Sequence, residues 1–362
     1  MVDAVKLLHR LSDAFGPPGG EEPVAQLVME YLAPCCQLSR DGLGSVMAEK
    51  PGRQERPRLM LAAHMDEVGF MVQNITPQGY LCLQALGSWV PSLVPGQRLM
   101  IQGSKGLVEG VVATIPPHFV RNDQKEVKIE DLYLDIGAGS AQDVRGLGIN
   151  LGHLIVPKSG FAVLNQAYFL NKAWDDRVGV AAMVAALLQL KESPHPNTVL
   201  AVATVQEEVG SRGAAAAVEL IRPDLAIVLE GTPADDYPGL TADSPQGALG
   251  HGCQIRLFDP SIIVPRCFAE WIVAVAEQHQ IPYQLAVRRG GATDARVLHL
   301  AHGGIPTLIL GVPVRYAHSP AGIIYRGDFE ALVALLVALI QELTPEIAQG
   351  LRFKTSARKA GP

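Results

Sequence analysis

The feature that most constrains this chain is a repeated pattern of short, wholly apolar runs that end abruptly in polar residues or glycine. RLMLAAH (58–64), TVLAVATVQEE (198–208), DLAIVLEGT (224–232) and IPTLILGV (305–312) all have it. Runs without polar alternation are strands buried on both faces, the condition of a parallel sheet covered by helices. Helical periodicity alternates with them over 177–190, 213–221, 261–279 and 328–343. Two further amphipathic stretches open the chain, the first carrying Val5, Leu8, Leu11 and Phe15 on one face and the second covering 21–32. The expected fold class is therefore α/β, with a mostly parallel sheet covered by helices on both faces. Such sheets bind ligands beyond the carboxyl ends of their strands, which is where the polar residues fall.

From 74 to 158 the grammar changes. Gly and Pro punctuate short stretches such as GYLCLQAL, QRLMIQG, KGLVEGVVATI and EDLYLDIG, without helical periodicity. This reads as a small β-barrel-like domain at 74–163, inserted between a first part (1–73) and a second part (164–362) of the α/β domain. Its Trp89, Val90, Leu93 and Val94, set between prolines, suit either an internal core or a patch facing a partner.

Composition narrows the setting. Five cysteines, an odd number with no CxxC spacing, read as free thiols in a reducing compartment and leave no cysteine metal site. The opening helix is interrupted by Asp3, Lys6, Arg10 and Asp13, unlike a signal peptide. The longest apolar runs, 178–188 and 331–340, fall short of the roughly 20 residues of a membrane helix. The expected location is the cytoplasm, with no membrane partner. A net charge of −6 with mixed signs leaves no footprint for nucleic acid. The basic tail Arg352, Lys354, Arg358 and Lys359 reads as a frayed end.

Polar clusters that a packed core would not choose sit at strand ends and in loops: HMDEVG (64–69), NKAWDDRVG (171–179), QEEVGSRG (206–213), LEGTPADD (229–236), GGATDARVLH (290–299) and RYAHSP (315–320). Each alone has a plain reading. His64 and Asp66 can be an ordinary strand end; alternatively, residues two apart on extended chain share a side, and the carboxylate can fix the imidazole tautomer for metal binding. One of Asp175 and Asp176 can cap the following helix, which leaves the other free to bridge cations. Glu207 and Glu208 can be helix-terminal acids, or one can ligate a metal while the other takes a proton from water. Glu230, at the end of an apolar strand, is costly to bury without a cation. His318 can be a surface histidine.

Together they form a His/Asp/Glu ligand set without thiolates, suited to zinc, cobalt or manganese. Asp175, Glu208 and Glu230 bring three negative charges, which two divalent cations and one hydroxide would balance. A single cation would leave them undercompensated.

In this order the segments HMDEVGFMV, NKAWDDRVGV, TVQEEVGSRGA, GATDA and RYAHSP resemble the TET-type metallo-aminopeptidases, cytosolic enzymes that include glutamyl, leucyl and lysyl aminopeptidases. The resemblance covers nearly the whole chain. It implies two divalent metal ions per subunit, the first held by His64 and Glu230 and the second by Glu208 and His318, with Asp175 bridging. It further implies Glu207 as general base, Asp66 as the residue orienting His64, and a non-proline cis bond between Asp175 and Asp176. Glu230 departs from the Asp frequent at its position, and Trp174 is a milder variation. The implied substrates are short peptides with a free N-terminus. The implied assembly is a homo-oligomer, a dimer through the inserted domain or a tetrahedral dodecamer.

Paired carboxylates also serve glycosidases, and some relatives have carried a cellulase label, but that chemistry has no use for two histidines. A catalytically silent assembly protein on the same fold is a further alternative, and retention of every ligand type with Glu207 argues against it. Arg288 and Arg289 beside Gly290 suit either an acidic first residue or simple solvation.

Overall fold

The computed structural model describes residues 3–116, 118, 126–239 and 245–352. Most of the basic tail, Lys354, Arg358 and Lys359, lies outside them. The chain opens with α1 (Ala4–Asp13), N-capped by the Asp3 carboxylate, and α2 (Glu22–Leu32). Strands β1 (Gln37–Arg40), β2 (Val46–Lys50) and β3 (Arg58–His64) then enter the main sheet.

Strands β4 (Gly69–Ile75), β5 (Leu81–Leu86), β6 (Arg98–Gly103), β7 (Gly106–Val112), β8 (Tyr133–Asp135) and β9 (Leu154–Pro157) close a barrel in the order β4-β5-β8-β7-β6-β9. The barrel strands begin at Gly69, so the expected domain start at 74 cuts through β4. No turn residue separates β4 from the HMDEVG loop, and Phe70 and Val72 already point into the barrel core. A short helix α3 (Ala141–Gly146), capped by the Ser140 hydroxyl, lies in the stretch expected to lack helix. It is too short to show periodicity. Of the apolar residues between prolines, Val94 is in the barrel core. Trp89 stacks on Phe70 at 4.6 Å and donates Nε1 to Gly69 O at 3.0 Å. Val90 and Leu93 remain exposed, at 48% and 43%.

Strands β10 (Ala162–Leu164) and β11 (Tyr168–Asn171) form a separate three-stranded sheet with β18 (Gly322–Tyr325), so the expected domain end at 163 falls inside a strand that is not part of the barrel. After β11 the elements run α4 (Trp174–Gln189), β12 (Thr198–Thr204), α5 (Arg212–Ile221), β13 (Leu225–Pro233), β14 (Cys253–Asp259) and β15 (Ile262–Ile263). They continue with α6 (Arg266–Gln278), β16 (Tyr283–Val287), α7 (Ala295–Leu298), β17 (Thr307–Val314), β18, α8 (Arg326–Glu342) and α9 (Pro345–Gly350). The helix expected over 261–279 starts only after Pro265. Ahead of it the Asp259 carboxylate accepts from Ser261 N and Oγ at 2.8 and 2.6 Å and turns β14 into β15.

The main sheet runs β1-β2-β12-β3-β13-β17-β14-β15, with β16 on β14. Its centre, β12-β3-β13-β17, is parallel throughout, and every residue of β12 and β17 is buried. Helix α4 packs on this centre on one side and against α1, α2 and α8 on others, so it is apolar all round, with Val178, Val180, Met183, Val184 and Leu187 fully buried. Each such Val or Leu contributes about 1.5–3 kcal/mol relative to exposure. The α/β class with fully apolar central strands is what the sequence pattern implies, and among the described residues no helix is long and apolar enough to cross a membrane.

Candidate metal and catalytic centre

The proposed ligands meet at the carboxyl ends of the four central parallel strands. His64 is the last residue of β3 and pairs in register with Thr204, the last of β12. Glu207 and Glu208 follow β12, Glu230 lies near the end of β13, and His318 follows β17. Asp175 enters from the start of α4, where it and Asp176 have non-helical dihedrals and the peptide between them is cis. This matches the bond that the resemblance implies.

Asp175 stands at the centre. Its Oδ1 is 3.1 Å from His64 Nε2 and its Oδ2 is 3.2 Å from His318 Nε2. Glu230 Oε2 lies 3.8 Å from the same His64 nitrogen, and Glu208 Oε1 lies 3.2 Å from His318 Nε2. Two three-donor clusters result, His64/Asp175/Glu230 and Asp175/Glu208/His318, each with donors within 4.8 Å of one another. Donors about 2.0 Å from a tetrahedral zinc stand about 3.3 Å apart, so these separations fit metal ligation. Glu208 Oε1 is buried without a hydrogen-bond donor of suitable geometry, a group that a cation would satisfy.

The surroundings set the ligands' orientation. Asp176 caps α4 by accepting from Gly179 N at 3.0 Å, and its other oxygen accepts from His64 N at 3.1 Å. Asp176 is thus the capping residue of the pair, and Asp175 keeps both oxygens for the site. The Asp66 carboxylate departs from expectation. His64 Nδ1 meets the Asp66 carbonyl oxygen at 3.0 Å, while the carboxylate is 3.6 Å away. Both carboxylate oxygens instead accept from the backbone N–H groups of Glu207 and Glu208, at 2.9 and 3.0 Å. Two peptide donors on a neighbouring loop outcompete the imidazole, so Asp66 orients the glutamate pair and the backbone orients His64. Gly231 lets α4 close over Glu230, because a Cβ there would come 2.4 Å from Trp174 O.

Electrostatics follow from burial and proximity. Burial alone would pull the His318 imidazole down, yet Asp175 and Glu208 hold its pKa up at about 11. His64 is likewise raised by Asp175 and Asp66 against burial. Burial would raise Asp175, but hydrogen bonds from His318 and His64 hold it well below the usual carboxylate range. Burial raises Glu230, with Asp176 adding repulsion. Burial also raises Glu207 to about 8, with Asp294, Glu208 and Asp66 repelling its charge and His64 opposing them. A set of buried acids with two imidazoles demands positive charge, which divalent cations or protons supply.

The sequence reading missed a buried network beside the site. Arg177 donates to the carbonyls of Met65, Leu11, Ala14 and Gly16 at 2.6–3.1 Å, and Lys172 donates to Glu67 and to Ala14 O. It ties the end of α1 to the HMDEVG loop. The charged residues in HMDEVG and NKAWDDRVG beyond the candidate ligands are its signal in the sequence. Asp294 of GATDA is also buried, accepts from the Thr204 hydroxyl at 2.6 Å, and belongs to neither donor cluster.

A sheet that gathers His, Asp and Glu at its carboxyl ends around one shared carboxylate defines a peptidase of the aminopeptidase class when set beside known proteins. The family model described as M42 glutamyl aminopeptidase matches residues 44–335, and the chain belongs to that family. The glutamyl aminopeptidase of Lactococcus lactis is 35% identical over 352 residues, covering 96% of this chain and 97% of its own. A TET aminopeptidase from a marine sediment archaeon of the Thaumarchaeota has TM-score 0.94 at 37% identity, covering 96% of this chain and 99% of its own. The TET1 peptidase of Pyrococcus horikoshii, which can assemble into a tetrahedron or a large octahedral shell, has TM-score 0.86 at 31% identity, covering 94% of this chain and 100% of its own. This protein is an exopeptidase of the same kind, and its family implies divalent metal ions.

Proposed function

We propose that the chain releases the N-terminal residue of short peptides at a dinuclear centre, with His64 and Glu230 at one cation, Glu208 and His318 at the other, and Asp175 shared. The observation that carries this is Asp175, whose two oxygens each face a different imidazole at 3.1 and 3.2 Å. A single metal needs no such arrangement, and neither does a pair of glycosidase carboxylates, which must face each other across a sugar.

Bound divalent cations, zinc or cobalt first and manganese next, supply Lewis acidity and lower the pKa of water. The chain's own residues do the rest. Glu207 belongs to neither donor cluster and is held by the Asp66-anchored backbone and by Ser211 Oγ, which donates to its Oε1 at 3.2 Å. It accepts the proton of the attacking water and returns it to the leaving amine. Asp66 fixes the Glu207–Glu208 peptide so that base and ligand face the same reaction centre. The assembly of the Pyrococcus horikoshii TET1 peptidase supports a homo-oligomer, for which we take a dimer or a dodecamer, the barrel as assembly domain and the cytoplasm as location.

The test is a panel of short peptides with zinc, cobalt or manganese added, measuring released amino acids and bound metal. Free-amine peptides should be cut one residue at a time and N-acetylated ones left intact. Equal cleavage of both would replace this reading with an endopeptidase or deacylase.

A further inference from the structure

The walls beside His318 bear on which N-terminal residue is accepted. In the loop after β17, Tyr316 and His318 both hold left-handed backbone, at φ 63° and 57°. A bulky aromatic residue there is a genuine outlier, and such strain persists where the surroundings enforce it, typically at functional sites. Tyr316 and His318 line one cavity with Asp175. Tyr316 is nonetheless 46% exposed, with its ring 5.4 Å from that of Tyr237.

The charges around this aromatic pair are spoken for. Arg315, next to Tyr316, makes two hydrogen bonds to Asp236 at 2.8 and 2.6 Å. Arg288, a candidate for binding an acidic residue, is bound to Asp235 at 2.8 Å and to Pro233 O at 3.1 Å. Lys172, also in the lining, is paired with Glu67. Val68, Pro157, Trp174, Val314 and Ala317 complete the lining that matters here. Among the described residues of this cavity, no charged group outside the proposed metal ligands is left unpaired.

An exopeptidase substrate ends at its N-terminal residue, so that side chain can rest against a wall of the site, whereas the leaving peptide must run out to solvent. We propose that Tyr316, backed by Tyr237, is the specificity-determining wall for the N-terminal side chain, and that the enzyme takes uncharged apolar residues there in preference to glutamate or lysine. The inference rests on the aminopeptidase reading above.

The experiment uses the full-length, metal-loaded protein and the p-nitroanilides of Leu, Met, Phe, Ala, Glu and Lys. Leu, Met or Phe should exceed Glu and Lys by about 10-fold or more in kcat/KM. Tyr316→Asn keeps a residue tolerant of left-handed backbone. It should cut the best apolar substrate about 10-fold, chiefly in KM, and the Ala substrate less than about 2-fold. Asp236→Asn, which frees Arg315, should raise cleavage of the Glu substrate relative to Leu. A wild type that prefers Glu or Lys overturns the inference, as would a Tyr316→Asn that lowers every substrate equally. A glutamyl preference abolished by Arg289→Ala would also overturn it, moving recognition to that exposed loop. Release from none of the six is a different result, because it would sink the aminopeptidase reading itself.

Discussion

The α/β domain and the barrel are built on opposite terms. In the α/β domain the central strands are buried on both faces, and the cost of ending them is concentrated at one edge, where His64, Asp66, Asp176, Glu230 and Asp294 are all nearly inaccessible. The barrel has its own core of Phe70, Val72, Leu81, Leu99, Ile101 and Leu134, but leaves Leu107, Ile115, Val90 and Leu93 in solvent. None of the proposed metal ligands lies on it. The buried polar groups are concentrated in one region, while exposed apolar residues are denser in the smaller barrel, although Ile263 and Leu300 of the α/β domain are exposed too. The proposed catalysis and the proposed assembly should therefore be separable by substitution.

The largest expected effect lies in the α/β domain. Asp175→Ala removes the carboxylate common to both clusters, so bound metal should fall at both positions and activity should drop to background, read by elemental analysis and peptide turnover. Loss of one metal equivalent only would show that the clusters do not share Asp175. Glu207→Gln should lower kcat at least about 100-fold with both metals retained. Near-normal turnover excludes Glu207 as the base. Asp66→Asn keeps a side chain of the same shape but can accept only one of the two N–H bonds from Glu207 and Glu208. A loss of about 10- to 100-fold is expected, with metal affinity at the Glu208 cluster weakened more than at the Glu230 cluster. Equal weakening would mean that Asp66 acts mainly through His64.

Gly87 is one place where the two regions touch, and it sharpens the contrast. It follows β5 at φ 86°, and a Cβ there would lie 3.0 Å from Glu208 Oε2 and 2.8 Å from Val68 Cγ1. Gly87→Ala should therefore be a barrel substitution that lowers activity, by displacing Glu208, with oligomer size unchanged. Leu93→Asp should have the smallest catalytic effect of all. Kinetics on a dipeptide should stay within about 2-fold, because exposed substitutions rarely disturb a fold, while light scattering should find smaller species. If Leu93→Asp leaves assembly intact, this face of the barrel is not the interface; if it removes metal, the two regions are not separable.

Much of this was legible in the residues. The apolar runs announced strands buried on both faces, and the polar residues ending them announced a site, because a buried carboxylate such as Glu230 must be compensated wherever it falls. Other features carried no local signal. The start of the barrel at Gly69 was hidden because β4 runs on from the HMDEVG loop without a turn, and α3 was too short for periodicity. The helix expected from 261 was delayed to Arg266 by Pro265 and the Asp259 turn, which a longer view of turn chemistry would have caught.

The sequence by itself determined the α/β class and placed the candidate ligands and the candidate base at strand ends, since these depend on residue type, order and hydrophobic period. Their assignment to two cations and a base comes from the family resemblance and is part of the proposal. Only the tertiary structure decided which partner each of those residues takes. The Asp66 carboxylate goes to the Glu207 and Glu208 peptides and not to the nearer-in-sequence His64, Asp176 rather than Asp175 caps α4, and Arg288 is consumed by Asp235. The physical reason is that a hydrogen bond or ion pair is won by whichever group is brought within about 3 Å at a suitable angle. For groups on different strands, that distance is set by sheet register and helix packing, which no local window of sequence contains.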